Sequence, residues 1–318
     1  MPNPAQPGSA VSYLRIDADR AGQRLDNFLF SQLKGVPKSR VYRIIRDGQV
    51  RVNRKRVKQT YRLEAGDEVR VPPVRMADSQ APVPVSEGLS ERLSRALLYQ
   101  DEWLYIFNKP AGLAVHGGSG VSQGLIEALR AMYPQERNLE LVHRLDRDTS
   151  GCIMVTRQRG MLRRLQKLMQ GGGVEKRYWL LCRGFQGKKK TIEAPLLKYT
   201  RGGERIVRVD REGKASRTDF SLLERFAGTD VCLVDALLGS GRTHQIRVHA
   251  LYGGFPLLGD SKYGSPASAG EPDARLYLHA RSLRLRHPET GEQLSIEAPL
   301  DEPFEDAIRL LRQAGGRV

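Results

Sequence analysis

Apolar positions in the first quarter of the chain recur at helical spacing. Leu25, Phe28, Leu29 and Leu33 share one face, and Val41, Ile44 and Ile45 share another, which predicts two amphipathic helices. Ser39 stands where an N-cap would, and Gly48 supplies a stop. Val50-Arg-Val52 and Arg56-Val57 bracket the turn Asn53-Arg-Lys55, and a strand at 68–71 follows Ala65-Gly-Asp67. Two short helices should therefore join a small antiparallel sheet. From Met76 to about Arg95 the composition turns to Ala, Pro, Ser and Glu, including Ala81-Pro-Val-Pro-Val-Ser86, and predicts a linker stiffened by proline.

Beyond it, strand-like runs outnumber helical ones. Leu104 to Phe107 and Cys152 to Val155 are short apolar runs bounded by turn residues, and 175–182 is a strand with Tyr178, Leu180 and Cys182 on one side. Further strands are predicted at 191–194, 206–209, 216–224 and 231–237, and a hairpin around Glu289-Thr-Gly291. Helical periodicity marks 123–133, the stretch carrying Met161, Leu162, Leu165, Leu168 and Met169 up to Gly171, and a segment capped by Thr243 that carries Ile246, Arg247 and Ala250 to Gly253-Gly254. A helix from Pro303 closes the chain. Strands in runs with irregularly placed helices indicate an α+β protein with a mixed, mainly antiparallel sheet and flanking helices.

With 318 residues the chain exceeds the usual single domain, so it is divided into a disordered tail (1–14), a small domain (15–75), the linker (76–95) and a large domain (96–318). Net charge is +16, and between Arg15 and Arg75 there are 16 Lys and Arg against 7 Asp and Glu. More than half of the excess thus sits in the small domain, the footprint of a polyanionic partner and of nucleic acid before membrane. Arg40, Arg43 and Arg46 form a stripe on the second helix, with Arg54, Lys55 and Arg56 on the adjoining turn. The three cysteines lie far apart without a C-x-x-C pair, which argues against a disulfide framework or a zinc site. No stretch is apolar enough for a membrane span, and the N-terminus lacks a signal peptide's basic start and apolar core. A soluble, cytoplasmic monomer without metal or cofactor is expected. The Gly-rich run Gly117-Gly-Ser-Gly120 matches no phosphate-binding pattern and reads as a loop passing close to a ligand or another backbone.

Five ionisable side chains crowd into six positions at His143-Arg144-Leu145-Asp146-Arg147-Asp148, followed by a Thr149-Ser-Gly151 turn. Composition alone allows a solvated ion-pair surface. The following apolar run allows more, because it would hold this loop rigidly, as catalytic groups are held. His244 and His249 lack a carboxylate at metalloprotease spacing and read as structural or RNA-facing.

The run from His143 to Gly151 resembles the signature of the RluA-type pseudouridine synthases, which isomerise uridine within RNA. Further segments resemble the same family in the same order: Asn108-Lys-Pro-Ala-Gly-Leu-Ala-Val-His116, Lys176-Arg-Tyr178, Thr243-His-Gln-Ile-Arg-Val-His249, Gly259-Asp-Ser-Lys-Tyr-Gly264 and Leu278-His-Ala280. The small domain is similar to the S4 RNA-binding domain, which would grip RNA mainly through its backbone. The resemblance implies Asp146 as the essential carboxylate, Arg247 as its counter-charge and Tyr178 as the ring packed on the target base. It further implies Leu278 as a wall of the uracil pocket, and Arg144, with His143 beside it, at the space left by an extruded base. Asp148 would be a turn or ion-pair residue. Taken over the whole chain, the resemblance implies large-subunit ribosomal RNA as the substrate. Two other readings stay open: a non-catalytic ribosomal RNA-binding or assembly factor, and a hydrolase using Asp146 and Asp148 together.

Overall fold

The structure is a computed structural model that describes residues 10–33, 35–74, 85–117, 123–136, 138–201, 204–264, 272 and 275–315. Its chain falls into two compact units that divide between Val83 and Pro84. The start of the expected tail, most of the proline-rich stretch and the Gly-rich run from residue 118 lie outside the described residues.

In the first unit β1 (Ser12–Arg15), α1 (Leu25–Gln32), α2 (Lys38–Arg46), β2 (Arg51–Val52) and β3 (Glu68–Val71) follow one another. The three strands form an antiparallel sheet in the order β1-β3-β2. Leu25, Phe28, Leu29, Val41, Ile44 and Ile45 meet Val52, Val69 and Val71 in one buried cluster, each large side chain contributing about 1.5–3 kcal/mol by leaving water. Three local expectations are corrected. Residues 12–14 are not tail, because β1 pairs with β3. Pro37, not Ser39, is the N-cap of α2, since a proline preceding the first turn sacrifices no hydrogen bond there. No return strand forms at 56–57; Asn53 and Arg54 both take positive φ and β2 pairs instead with β3.

The second unit comprises α3 (Glu87–Arg95), β4 (Leu97–Gln100), β5 (Leu104–Lys109), α4 (Leu125–Met132), β6 (Glu140–Leu141), β7 (Ser150–Thr156), α5 (Arg159–Gln170), β8 (Val174–Arg183), β9 (Lys189–Glu193), β10 (Leu196–Arg201), β11 (Glu204–Val209), β12 (Arg217–Arg225), β13 (Val231–Leu238), α6 (Gln245–Tyr252), β14 (Leu278–Arg286), β15 (Gln293–Glu297) and α7 (Glu302–Gly315). Residues 87–95 are thus helix rather than linker. Ser86 caps α3 through its side chain, and Leu93 is buried in the core of this unit.

The main sheet runs β4-β5-β7-β14-β8-β13-β12-β9, with β6 beside β7 and β15 beside β14. Only β7 and β14 run parallel among these pairs, which makes the sheet mixed and mainly antiparallel. β7 and β14 come very close, since a Cβ on Gly151 (φ +107°) would lie 2.3 Å from the Ala280 carbonyl oxygen. Ser150 and Gly151 accordingly open β7 and are not part of the turn before it. A separate hairpin, β10–β11, packs Leu196 and Val207 against Val248 of α6 and against Tyr263.

Candidate active site

Three elements of the second unit converge on one cleft. The loop between β6 and β7 carries Asp146 and is anchored by buried Val142, Leu145 and Thr149. From the sheet come Tyr178 in the middle of β8 and Leu278 at the start of β14, and from α6 its N-cap His244 and, in its first turn, Arg247. Together with Arg144, Arg242 and Gln245 these residues line about 520 Å³ of empty space, partly open to solvent.

Asp146 faces a guanidinium and an imidazole. Arg247 Nη1 lies 3.5 Å from its Oδ2, and His244 Nε2 lies 3.8 Å from the same atom. The first distance is at the outer limit of a hydrogen bond. Arg247 has a stronger partner: Nε and Nη2 each donate to one oxygen of Asp260 at 2.7 Å. Asp260 also accepts the backbone N–H groups of Lys262 and Tyr263. Burial opposes both charges of this pair. Their mutual hydrogen bonds and attraction outweigh it, and hold the arginine above and the aspartate below their ordinary ranges. Such bidentate pairs fix a guanidinium's plane. One edge of Arg247 is thereby locked and Nη1 is presented to Asp146.

Tyr178 is buried, and burial, reinforced by the negative charge of Asp146, pushes its phenol far above the ordinary range. It is neutral at any working pH, suited to packing on a base rather than to proton transfer. Leu278 is buried beside it, and Arg144 is exposed at the rim.

His143 is not among the pocket-lining residues. Its Nε2 accepts the Met154 N–H at 3.1 Å, and burial pulls its pKa down to about 4. It braces the loop against β7 as a neutral ring. Asp148 is exposed, 3.9 Å from Arg147 Nε, and outside the pocket. Asp148 thus does not line the pocket with Asp146.

Two anchors escaped the sequence reading. Lys109 is completely buried, and its Nζ donates to the carbonyls of Pro110, Leu113 and Arg147 at 2.8–3.0 Å. Burial pulls its pKa down to about 7, yet three acceptors use all three hydrogens of an ammonium group. It ties the 110–113 loop to the loop of Asp146. Gln245 accepts from Ser240 Oγ and Arg242 N, and donates to the Arg217 carbonyl and Thr218 Oγ1. That fixes the start of α6 on β12. His249 is a structural histidine, bonded to Ser216, Thr218 and Ala194.

Comparison with known proteins agrees with this geometry. A family model described as RNA pseudouridylate synthase matches residues 103–252, and one described as S4 domain matches residues 23–69. Over 315 residues the chain is 50% identical to the protein named Ribosomal large subunit pseudouridine synthase C of Salmonella typhimurium, covering 96% of this chain and 98% of that one. The protein of the same name from Escherichia coli strain K12 gives the same identity and coverage.

The chain belongs to the RNA pseudouridylate synthase family.

Among solved structures, human RNA Pseudouridylate Synthase Domain Containing 4 superimposes with a TM-score of 0.60 at 26% identity, covering 71% of this chain and 96% of that one. Human RNA Pseudouridylate Synthase Domain Containing 1 gives 0.56 at 26% identity, covering 72% and 97%. The synthase is thus an α+β enzyme with an S4 domain near its N-terminus. Its basic side chains Arg40, Arg43, Arg46, Arg54, Lys55 and Arg56 are all exposed. Arg46 and Arg56 share the rim of a groove with Tyr42 and Lys58. Among the described residues, no three His, Cys, Asp or Glu come together as a metal site would require, and no helix is long and apolar enough to cross a membrane.

Proposed function

We propose that this enzyme isomerises uridines of large-subunit ribosomal RNA to pseudouridine, with Asp146 as the reacting carboxylate. The reaction breaks the N1–C1′ bond, turns the uracil and joins C5 to C1′. A proton leaves C5 and one arrives at N1, so nothing is oxidised or hydrolysed. The observation that carries this reading is the meeting of Arg144, Asp146, Tyr178, Arg247 and Leu278 around one pocket, from segments up to 134 positions apart in a chain of 318 residues.

In this reading an extruded uracil packs on the Tyr178 ring against Leu278. Extrusion costs a few kcal/mol, and Arg144 at the rim occupies the place the base has left. Arg247 keeps a cation beside Asp146 under a base that displaces water, where a lone carboxylate would lose its hydration. The basic face of the first unit holds RNA through phosphate contacts. A cytoplasmic setting fits three cysteines that are all free and buried. The large-subunit preference is supported by the names of relatives matched along nearly the whole chain.

Carbodiimide primer extension on ribosomal RNA from a deletion strain tests it. Pseudouridine stops should vanish at one or more large-subunit positions and return with a plasmid copy. Identical stop patterns in parent and deletion strain would contradict the assignment.

A further inference from the structure

Between α6 and the Gly259–Gly264 loop runs a chain of hydrogen bonds to which the chemistry above assigns no task. His244, the N-cap of α6, has φ 53° and ψ 20°, the left-handed region that few side chains other than Asn, Asp and His enter. This backbone turns the imidazole into the cleft. Its Nε2 faces Asp146 Oδ2 at 3.8 Å, and its Nδ1 lies 2.7 Å from the Tyr263 hydroxyl.

Tyr263 decides which nitrogen carries the proton. The phenol oxygen accepts the Val207 N–H at 3.0 Å. Among the described residues, His244 Nδ1 is the acceptor its own hydrogen meets. With Tyr263 donating, Nδ1 is bare and the proton sits on Nε2, toward Asp146. The opposite tautomer would aim two N–H groups at one phenol oxygen and leave a buried hydroxyl hydrogen without a partner. It would also set a bare Nε2 against a carboxylate oxygen, two acceptors face to face. Val207 and Tyr263 belong to one small cluster with Leu196 and Val248. The β10–β11 hairpin thus bears on the carboxylate through two side chains.

We propose that His244 is a positioning residue for Asp146, its tautomer set by Tyr263. Its Nε2–H and Arg247 Nη1 together orient oxygen Oδ2 and leave Oδ1 to face the uridine. The proposal rests on the reading of Asp146 as the reacting group. Charged groups on every side act on the ring. Burial draws its pKa below the ordinary histidine value, Asp146 and Asp260 oppose this, and Arg247 and Lys262 add to it. The ring is therefore neutral at working pH, the state in which a fixed tautomer has meaning.

Nitrogen-15 spectra of ring-labelled histidine in the full-length protein test this without any turnover. The signal of His244 is identified by its loss in His244→Asn, a residue that tolerates the left-handed backbone but cannot reach Asp146. The expected spectrum shows Nε2 protonated and Nδ1 bare at neutral pH. Tyr263→Phe should mix the tautomers, raise the pKa of the ring and move the acid limb of the kcat profile upward. It should lower kcat about tenfold with an unchanged KM for RNA. His244→Gln, whose amide can return an N–H near Nε2, should keep more activity than His244→Asn. An Nδ1–H tautomer in the wild-type protein would overturn the proposal, as would a Tyr263→Phe enzyme with wild-type kcat and pH profile. A wild-type protein that isomerises no uridine would instead overturn the functional reading, and the spectrum would still decide the tautomer.

Discussion

Arg247 stands between two carboxylates that hold it unequally. Asp260 takes two hydrogen bonds of 2.7 Å, while Asp146 waits at 3.5 Å. The tighter pair aims the guanidinium and the looser one uses it. Asp260→Asn should therefore cost about 3 kcal/mol of stability, the usual result of leaving one partner of a buried pair uncompensated. It should also lower kcat by more than tenfold while RNA affinity holds. Thermal unfolding and tritium release from uridine labelled at C5 would measure the two effects, and a stable variant of normal rate would refute the clamp. Asp260 lies within a quoted motif, Gly259 to Gly264, yet nothing along the chain ties it to Arg247. Lys109 and Gln245 were missed because the partners that make them anchors, the Arg147 carbonyl for one and the Arg217 carbonyl and Thr218 hydroxyl for the other, come near only on folding. Asp146, Tyr178, Arg247, Leu278 and Arg144 could be read because each lies in a run of several matching residues. His143 lies in such a run too, and there the residue braces the loop and does not line the pocket.

Helical periodicity was the surest guide among the elements, since α1, α2, α4 and α5 each bury an apolar stripe, whereas α6 is buried on all sides from Gln245 to Ala250. What stayed hidden was short or polar. In α3 the described apolar contacts come from Leu89 and Leu93 alone, too few for a period. β1 has four residues, alternately half-buried and exposed, and only its pairing with β3 defines it. The parallel contact of β7 with β14 was equally unreadable, because it depends on a glycine, Gly151, meeting a carbonyl at residue 280. The stripe on α2 was readable and has a consequence of its own. Arg40, Arg43 and Arg46 are exposed, so replacing all three with Ala should weaken RNA binding. The slope of log affinity against log salt should flatten by about 2–3 units if each touches a phosphate. Binding measured at several salt concentrations decides it; an unchanged slope would take the stripe off the RNA.

Across the whole molecule, the exposed basic stripe and the pocket around Asp146 lie in different units. The first unit holds half of the +16 net charge in its 83 residues, while the pocket belongs wholly to the second. Binding and turnover should therefore separate under mutation. Stability of the second unit carries a pH signature. Burial holds His279, which is bonded to Ser150 and Ala298, neutral down to about pH 4, against an ordinary value of 6.5. Between those values the unfolded chain binds more protons than the folded one, so stability present above 6.5 drains away as pH falls toward 4. The loss is up to about 3 kcal/mol for this residue, and His143 acts in the same direction. Urea unfolding at neutral and at mildly acidic pH should show the decline, and equal midpoints would contradict it. The central claim is tested most directly by Asp146→Asn, which keeps the shape of the side chain and removes its charge. RNA affinity should match the wild type and tritium release from C5-labelled uridine should fall to background; appreciable release by this variant would contradict the account.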